Sequence, residues 1–385
     1  TAAEHTYDMF EEESISATVP DTLESATAFS ITGNFKTDGK VEAFITKPNG
    51  LVESLDLSTT GSTDTYFGQK IIKNGSNFTL TYTPKTIGRH IIEINNKNSE
   101  PIINHPLYIG KIIPLIPDFF DLNARTSFEG TIDLTNSRQE MLILINNDRT
   151  KFGLKPVVLS NDLNSLAQGH SNDMAVNNFF GHYNLENQTP NDRRIKAGIK
   201  TGVGENLAKD VSVSFAYYGL MRSGSHRKNI LNEEWTRLGV GFSPEDGGHI
   251  VVAQEFSTNE ITAGDLVNFK NELFTKVNEK RSINSLSTLA IYTALDSASK
   301  YLNDKVINEG LDLTNSSFGE ALNQYNITGS SQLVGRSGTS WTSILDSIVN
   351  EENTILESAW KLIGIDIQTD STGSINSIFI INRQT

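Results

Sequence analysis

Seven histidines hold most of this chain's capacity for chemistry near neutral pH: His5, His90, His105, His170, His182, His226 and His249. None follows His249, so the last third of the chain has no imidazole. His182 closes the phrase "NNFFGH", His226 lies inside "SGSHRKNIL", and Glu205 stands between them in "GENLA". Two neutral imidazoles and a carboxylate meeting in one cleft can hold a divalent cation such as Zn²⁺ at a weak, open site. They can also run general acid–base chemistry without metal. A third reading is structural: Glu205 accepts hydrogen bonds from loop backbone and holds a histidine in place. His170 shares an apolar helix face with Leu166 and Met174 and reads as a satisfied, half-buried histidine. His249 reads as a strand position beside a turn, and His5, His90 and His105 as unrelated to any site.

Other chemistries are excluded by what is missing from the sequence. There is no cysteine, hence no disulfide, no thiolate metal site and no cysteine nucleophile. "GVGEN" is not followed by lysine and completes no phosphate loop. There is no H-E-x-x-H, and although Ser223 stands three residues before His226, no G-x-S-x-G elbow exists. The formal charge of −14 argues against a nucleic-acid partner, because phosphate binding needs clustered Lys and Arg.

The chain has 385 residues, enough for two to four domains, and 37% hydrophobic with 20% charged residues fits a globular protein. No run of 18 apolar residues exists, so no transmembrane segment is expected. Thr1 follows no initiator Met or charged-then-apolar leader, which fits a mature chain whose signal peptide has been removed.

The hydrophobic pattern changes along the chain. Residues 1–115 alternate with period two, with turn signals at Asp38-Gly39, Asn49-Gly50 and Asn74-Gly75, and predict a β-sandwich. Residues 116–137 read as a connector with room for one short strand. Residues 138–260 predict helices over Arg138–Arg149, from Ser160 or Asn161, and over Phe215–Met221, then two strands around Asp246-Gly247-Gly248. Residues 265–385 echo that plan: Ile145-Asn146 with Arg149 against Val277-Asn278 with Arg281, "GENLA" against "GEALN", "ILN" against "ILE", and "WTRLGVGF" against "WKLIGIDI".

The phrases "NNFFGH", "GENLA", "SGSHRKNIL" and "WTRLGVGF", in this order over about 120 residues, resemble the bacterial, cysteine-free form of the CAP superfamily (cysteine-rich secretory, antigen 5 and pathogenesis-related proteins). The resemblance implies an α-β-α sandwich with a central cavity. Carried over by residue, His182 and His226 match the two cavity histidines and Glu205 the first cavity glutamate. Ser223, near the place of a second glutamate, joins them as a cavity residue. "NFTLTYTPKTIGRHIIEINNKNSEPIINHPLYIG" at 77–110 is similar to the end of an immunoglobulin-like, filamin-type repeat.

The expected fold is multidomain: an Ig-like β-sandwich followed by two α+β CAP domains, the second degenerate. The expected function is a secreted or cell-surface binding protein rather than an enzyme, with no catalytic residue assigned. Its ligand would be a small molecule, lipid or protein, and His182 and His226 would be the metal ligands if Zn²⁺ binds. Two alternatives stay open: a metal-dependent hydrolase of peptide or cell-wall material, and a structural or adhesive surface protein. Oligomeric state is not readable.

Overall fold

A computed structural model gives the architecture. It describes residues 9–10, 15–17, 19–20, 22–35, 41–57, 63–66, 69–95, 101–110 and 127–383. His5, the Asp38-Gly39 turn and the first half of the 116–137 connector lie outside them. The chain divides into two compact units, Thr1–Glu186 with Gly204–Phe256, and Asn187–Val203 with Ser257–Thr385.

Among the described residues the first unit opens with these strands: β1 (Met9–Phe10), β2 (Ile15–Ala17), β3 (Thr22–Leu23), β4 (Phe29–Phe35), β5 (Val41–Thr46), β6 (Val52–Leu57), β7 (Thr63–Tyr66), β8 (Gln69–Asn74), β9 (Asn77–Tyr82), β10 (Gly88–Asn95) and β11 (Pro101–Ile109). They form two sheets, ordered β1-β11-β10-β5-β6 with β3 also on β11, and β2-β4-β9-β8-β7. Alternation sets the faces: along β9, Phe78, Leu80 and Tyr82 are buried, while Asn77, Thr79 and Thr81 are not. The inward residues of both sheets share one core, with Ile31, Phe78 and Leu80 from one and Ile45, Ile92, Ile94 and Leu107 from the other.

The same unit continues as three layers. Its helices are α1 (Leu134–Lys151), α2 (Asn161–Asn177), α4 (Val213–Arg222) and α5 (Gly224–Ile230); α3 (Pro190–Lys196), between α2 and α4 in the chain, belongs to the second unit. The sheet between them is ordered β12 (Val158–Leu159), β14 (Arg237–Glu245), β15 (His249–Ser257), β13 (Val203–Asp210). The described part of the expected connector, from residue 127, has no strand, and α1 begins inside the connector at Leu134 because Asp133 caps it, accepting from the Thr135 and Asn136 N–H groups.

"LGVGF" explains the layering. Leu238, Val240 and Phe242 pack on Met141, Ile145, Ala216, Tyr217 and Leu220 of α1 and α4. Gly239 and Gly241 face α2, and a Cβ at Gly239 would stand 2.1 Å from the Leu163 carbonyl carbon. With no side chain in between, α2 bonds the strand directly. Asn164 Oδ1 accepts from Val240 N at 2.9 Å, and Gln168 Nε2 donates to Phe242 O at 2.8 Å.

The sandwich meets the layered part through α5. The Gly224 N–H donates to Glu93 Oε2 at 2.6 Å, Arg227 Nη1 to Thr46 Oγ1 at 3.2 Å, and Lys228 Nζ to Ser54 Oγ at 2.7 Å. A Cβ at Gly224 would lie 2.7 Å from Phe44 Cβ, so glycine is required for this approach. Burial pushes the Glu93 carboxyl up to about 7, against the Gly224 N–H and the Arg227 charge, which pull it down.

The second unit holds α3 and α6 (Ala263–Ile283), α7 (Thr293–Glu309), α8 (Asn315–Gln324) and α9 (Trp341–Asp346). Its sheet is ordered β16 (Ala290–Ile291), β18 (Leu362–Thr369), β19 (Ile375–Asn382), β17 (Ser331–Gly338). Residues 187–203 group with the tail because Arg194 Nη1 donates to Thr372 O at 2.7 Å and Ser257 Oγ to Thr201 Oγ1 at 2.7 Å.

One hydrogen-bond plan occurs in both units. Arg149, fully buried, donates to the carbonyls of Lys155, Ile230, Asn232 and Trp235. Arg281, equally buried, donates to those of Ser287, Ile355, Glu357 and Trp360. Asn146 and Val157 bond reciprocally, as do Asn278 and Leu289. Gly364 presses on Leu295 as Gly239 presses on Leu163. The "GENLA"/"GEALN" echo must be corrected, however: Glu205 lies on strand β13, whereas Glu320 lies within helix α8. The strand in β13's position within the second sheet is β17, whose sequence "SQLVGRSG" does not resemble "GENLA".

Arg149→Lys should cost about 3 kcal/mol, because one ammonium cannot satisfy four carbonyls spread over two loops. Urea unfolding measures this, and a loss below about 1 kcal/mol would mean that water replaces the guanidinium. Gly239→Ala should cost about 2 kcal/mol or more by forcing α2 off the sheet. A melting midpoint equal to the parent's would rule out that close approach.

Candidate functional site

Strand β13 lies at the edge of the first unit's sheet and alternates through Gly204, Glu205 and Asn206. A Cβ at Gly204 would fall 2.4 Å from Asn229 Oδ1 and 2.8 Å from the Trp235 ring. Asn206 occupies the centre of the network that this glycine admits. Its Nδ2 donates to the His226 carbonyl at 3.3 Å and to Gln254 Oε1 at 3.1 Å, and its Oδ1 accepts from Asn229 Nδ2 at 3.0 Å. Trp235 Nε1 donates to Asn229 Oδ1 at 3.0 Å. "GEN" thus serves two ends: glycine and asparagine fix the backbone of the helix bearing His226, and glutamate points the other way.

Glu205 has a side chain only 1% exposed, and its Oε1 lies 2.7 Å from His182 Nδ1. An ionised carboxylate only accepts, so Nδ1 carries the proton and the neutral His182 ring bears its lone pair on Nε2. That ring is 48% exposed. The second oxygen, Oε2, lies 3.8 Å from Nε2 of His170, a buried ring. His170 Nε2 also lies 3.0 Å from the Gly181 carbonyl, which only accepts, so this nitrogen too carries a proton. Asn178 ends α2 in the left-handed region (φ 51°), where asparagine is tolerated, and the chain turns back over the helix. His170 thereby anchors the residue before His182.

His226 lies in the first turn of α5, partly buried. Burial, and then the charge of a protonated His182, push its pKa down to about 4. Its imidazole is therefore neutral at physiological pH. Ser223 separates α4 from α5, and its Oγ lies 3.1 Å from Ser225 Oγ.

Of the residues singled out from sequence, His182 and Glu205 are in direct contact, and His226 lies near enough to His182 for their charges to oppose each other. Ser223 opens the helix that carries His226. Sequence reasoning missed the part of His170: it is fully buried rather than half-buried, and it lies beside Glu205. No local motif signals this, since the contact is made only when the chain folds back at Asn178. The roles of Gly204, Asn206, Asn229 and Trp235 were legible only as flanking motif letters. Among the described residues no three His, Asp or Glu side chains are arranged to hold a metal ion.

Residues 142–256 match the CAP family, the cysteine-rich secretory protein family. Among curated proteins, YkwD of Bacillus subtilis (strain 168), an uncharacterized protein, is 33% identical over 136 residues, 32% of this chain and 52% of its own length. YlbC, an uncharacterized membrane protein of the same strain, is 36% identical over 109 residues, 28% of this chain and 32% of its own length. The chain thus spans about half of one relative and about a third of the other. A solved extracellular SCP-domain protein from Bacillus anthracis str. Ames aligns at 16% identity with a TM-score of 0.31, covering 64% of this chain and 86% of that one. With the three layers and the His182–Glu205 contact in place, the match makes residues 142–256 of this chain a CAP domain.

Proposed function

We propose that this is a secreted or cell-surface binding protein without catalytic activity, whose CAP cleft holds a divalent cation or small ligand on His182 and His226. The observation that carries the reading is the Glu205–His182 contact at 2.7 Å. A carboxylate on one ring nitrogen fixes the tautomer and raises the basicity of the other, the usual arrangement behind a metal-ligating histidine. His226, neutral well below pH 7, supplies the second imidazole. This donor set fits Zn²⁺ bound weakly, with water completing the coordination, and Glu205 stays behind the ligand rather than on the metal. Zinc would supply a Lewis-acid anchor for an anionic or carbonyl group of the ligand.

The flanking parts fit that reading. The N-terminal sandwich would be an Ig-like arm presenting the cleft. Residues 265–385 would be a degenerate second CAP copy, supported by the shared arginine–carbonyl plan around Arg149 and Arg281. No histidine follows His249, so that copy would keep the scaffold and not the site.

Calorimetric titration of Zn²⁺ at pH 7.5 should show one site that disappears in His182→Ala/His226→Ala and weakens at least about tenfold in Glu205→Gln. Equal binding by parent and double variant would move any metal elsewhere. Retained folding with no binding in the parent would leave a metal-free cleft and turn the search to organic ligands.

His226 also predicts a pH dependence. Its folded pKa lies below its unfolded value of about 6.5, so the unfolded state takes up the proton first. Its contribution to stability is complete above pH 6.5 and fades as pH falls toward 4, by roughly 2–3 kcal/mol in all. His226→Asn should flatten the stability–pH curve in that window. Parallel curves for parent and variant would contradict the buried neutral imidazole.

A further inference from the structure

The second unit has a hollow of its own, of about 520 Å³, between the first turn of α8 and strand β17. β17 is the edge strand of its sheet, as β13 is of the first unit's. Among the described residues that line the hollow none is ionisable. The charged neighbours Arg336 and Glu352 pair with each other at 3.0 Å. An anion would find no cation lining the space and a chain charge of −14 against it, and a cation would find no carboxylate. The hollow therefore selects for a neutral ligand.

Its walls are polar on two sides and apolar at one patch. Asn315 on α8 and Gln332 on β17 are exposed, and each amide carries donors and an acceptor. Phe318, packed partly on the core, and Leu313, 38% exposed, supply the patch. The main chain adds more. The Ser330 carbonyl accepts from the Arg383 N–H at 3.0 Å, so residue 330 faces β19. By the alternation of an antiparallel ladder, residues 331, 333 and 335 turn their N–H and C=O groups away from β19. That outward row is cut short. The Gly335 carbonyl accepts from Arg336 Nη1 at 2.9 Å, and a Cβ at Gly335 would stand 2.9 Å from Leu313 Cδ1, which lies over the strand there. Ahead of Gly335 the strand leaves open only Ser331 and Leu333, too short a stretch for a partner strand to pair along. A compact molecule that is uncharged, rich in hydroxyls and apolar on one face meets these conditions together. We propose that the hollow binds a neutral saccharide, its hydroxyls bonded to Asn315, Gln332 and the Leu333 main chain. The weakly positive C–H face of one sugar ring lies on the negative face of the Phe318 ring. The volume is that of a small-molecule pocket. Every lining residue belongs to the second unit, so this site stands or falls apart from the metal reading of His182 and His226.

The test is calorimetry on the whole chain at millimolar ligand. Cellobiose, maltose and N,N′-diacetylchitobiose are the neutral probes, glucose 6-phosphate the charged one, and a capped alternating threonine–valine hexapeptide the strand former. At least one disaccharide should bind saturably at one site, and glucose 6-phosphate and the peptide should not bind. Asn315→Ala and Gln332→Ala, both exposed changes, should each weaken the best-binding disaccharide about fivefold, the loss of one hydrogen bond. Phe318→Leu should weaken it as well, and should that variant fail to fold, the two amide variants carry the test. His182→Ala should leave sugar binding unchanged, whatever it does to zinc; a loss there would move the sugar to the CAP cleft and overturn the proposal. No saturable binding by any of the three disaccharides would overturn it, as would undiminished binding by folded Asn315→Ala and Gln332→Ala. Glucose 6-phosphate binding as tightly as the disaccharides would overturn the selection for a neutral ligand, and peptide binding in place of sugar would assign the edge of β17 to a partner strand.

Discussion

A full positive charge in a protein interior is tolerated only where dipoles replace the lost water, and Arg149 sits in such a place. Arg149 gathers four main-chain carbonyls from the loop after α1 and from the segment between α5 and β14. These segments have little regular structure of their own to orient them. Their carbonyls converge because each would otherwise be poorly satisfied, and the guanidinium is the one side chain with donors enough for all. One of the carbonyls belongs to Ile230, the last residue of the helix that carries His226. Another belongs to Trp235, whose indole reaches the asparagine network behind Glu205. The frame of the site is thus tied to a charge about which the site's own chemistry says nothing.

From that frame the placing of His182, Glu205 and His226 follows. Two glycines in β14 bring α2 onto the sheet, which sets the depth of His170. His170 takes the Gly181 carbonyl and brings the following residue, His182, to Glu205. Gly204 admits Asn229, and Asn206 then holds the carbonyl of His226. Each imidazole is positioned through its backbone by one network and, for His182, through its ring by a carboxylate.

How much of this could be read from the letters depends on the range of the interaction. "GENLA" and "SGSHRKNIL" were legible because close backbone approaches need particular small or polar residues at fixed positions, and these survive as motifs. The layering was legible in "LGVGF", where large and absent side chains alternate. The contact of His170 with Glu205 was not, because it joins residues 35 positions apart through a loop with no periodicity. Four-letter likeness misled at "GEALN", where the same residue types are good helix formers and lie in α8, while the matching place in the sheet falls to β17. The grouping of residues 187–203 with the tail was not legible, because acceptors far along the chain, such as the Thr372 carbonyl, are invisible in a one-dimensional pattern. The sandwich strands were readable by alternation, but their grip on α5 through Glu93 was not, since nothing in β10 distinguishes a buried acid from a solvated one.

That grip bears on how the domain would behave if cut out of the chain. Helix α5 has seven residues, too few to be stable alone, and three of them are fastened to the sandwich at Glu93, Thr46 and Ser54. An excised CAP domain would keep its motif and the carbonyls around Arg149. The helix that presents His226 would nevertheless lose its outer brace, and Phe44 would no longer press on Gly224. The footing of that helix is on loan from a neighbour, and the smallest piece of this chain that keeps it is larger than the smallest recognisable one.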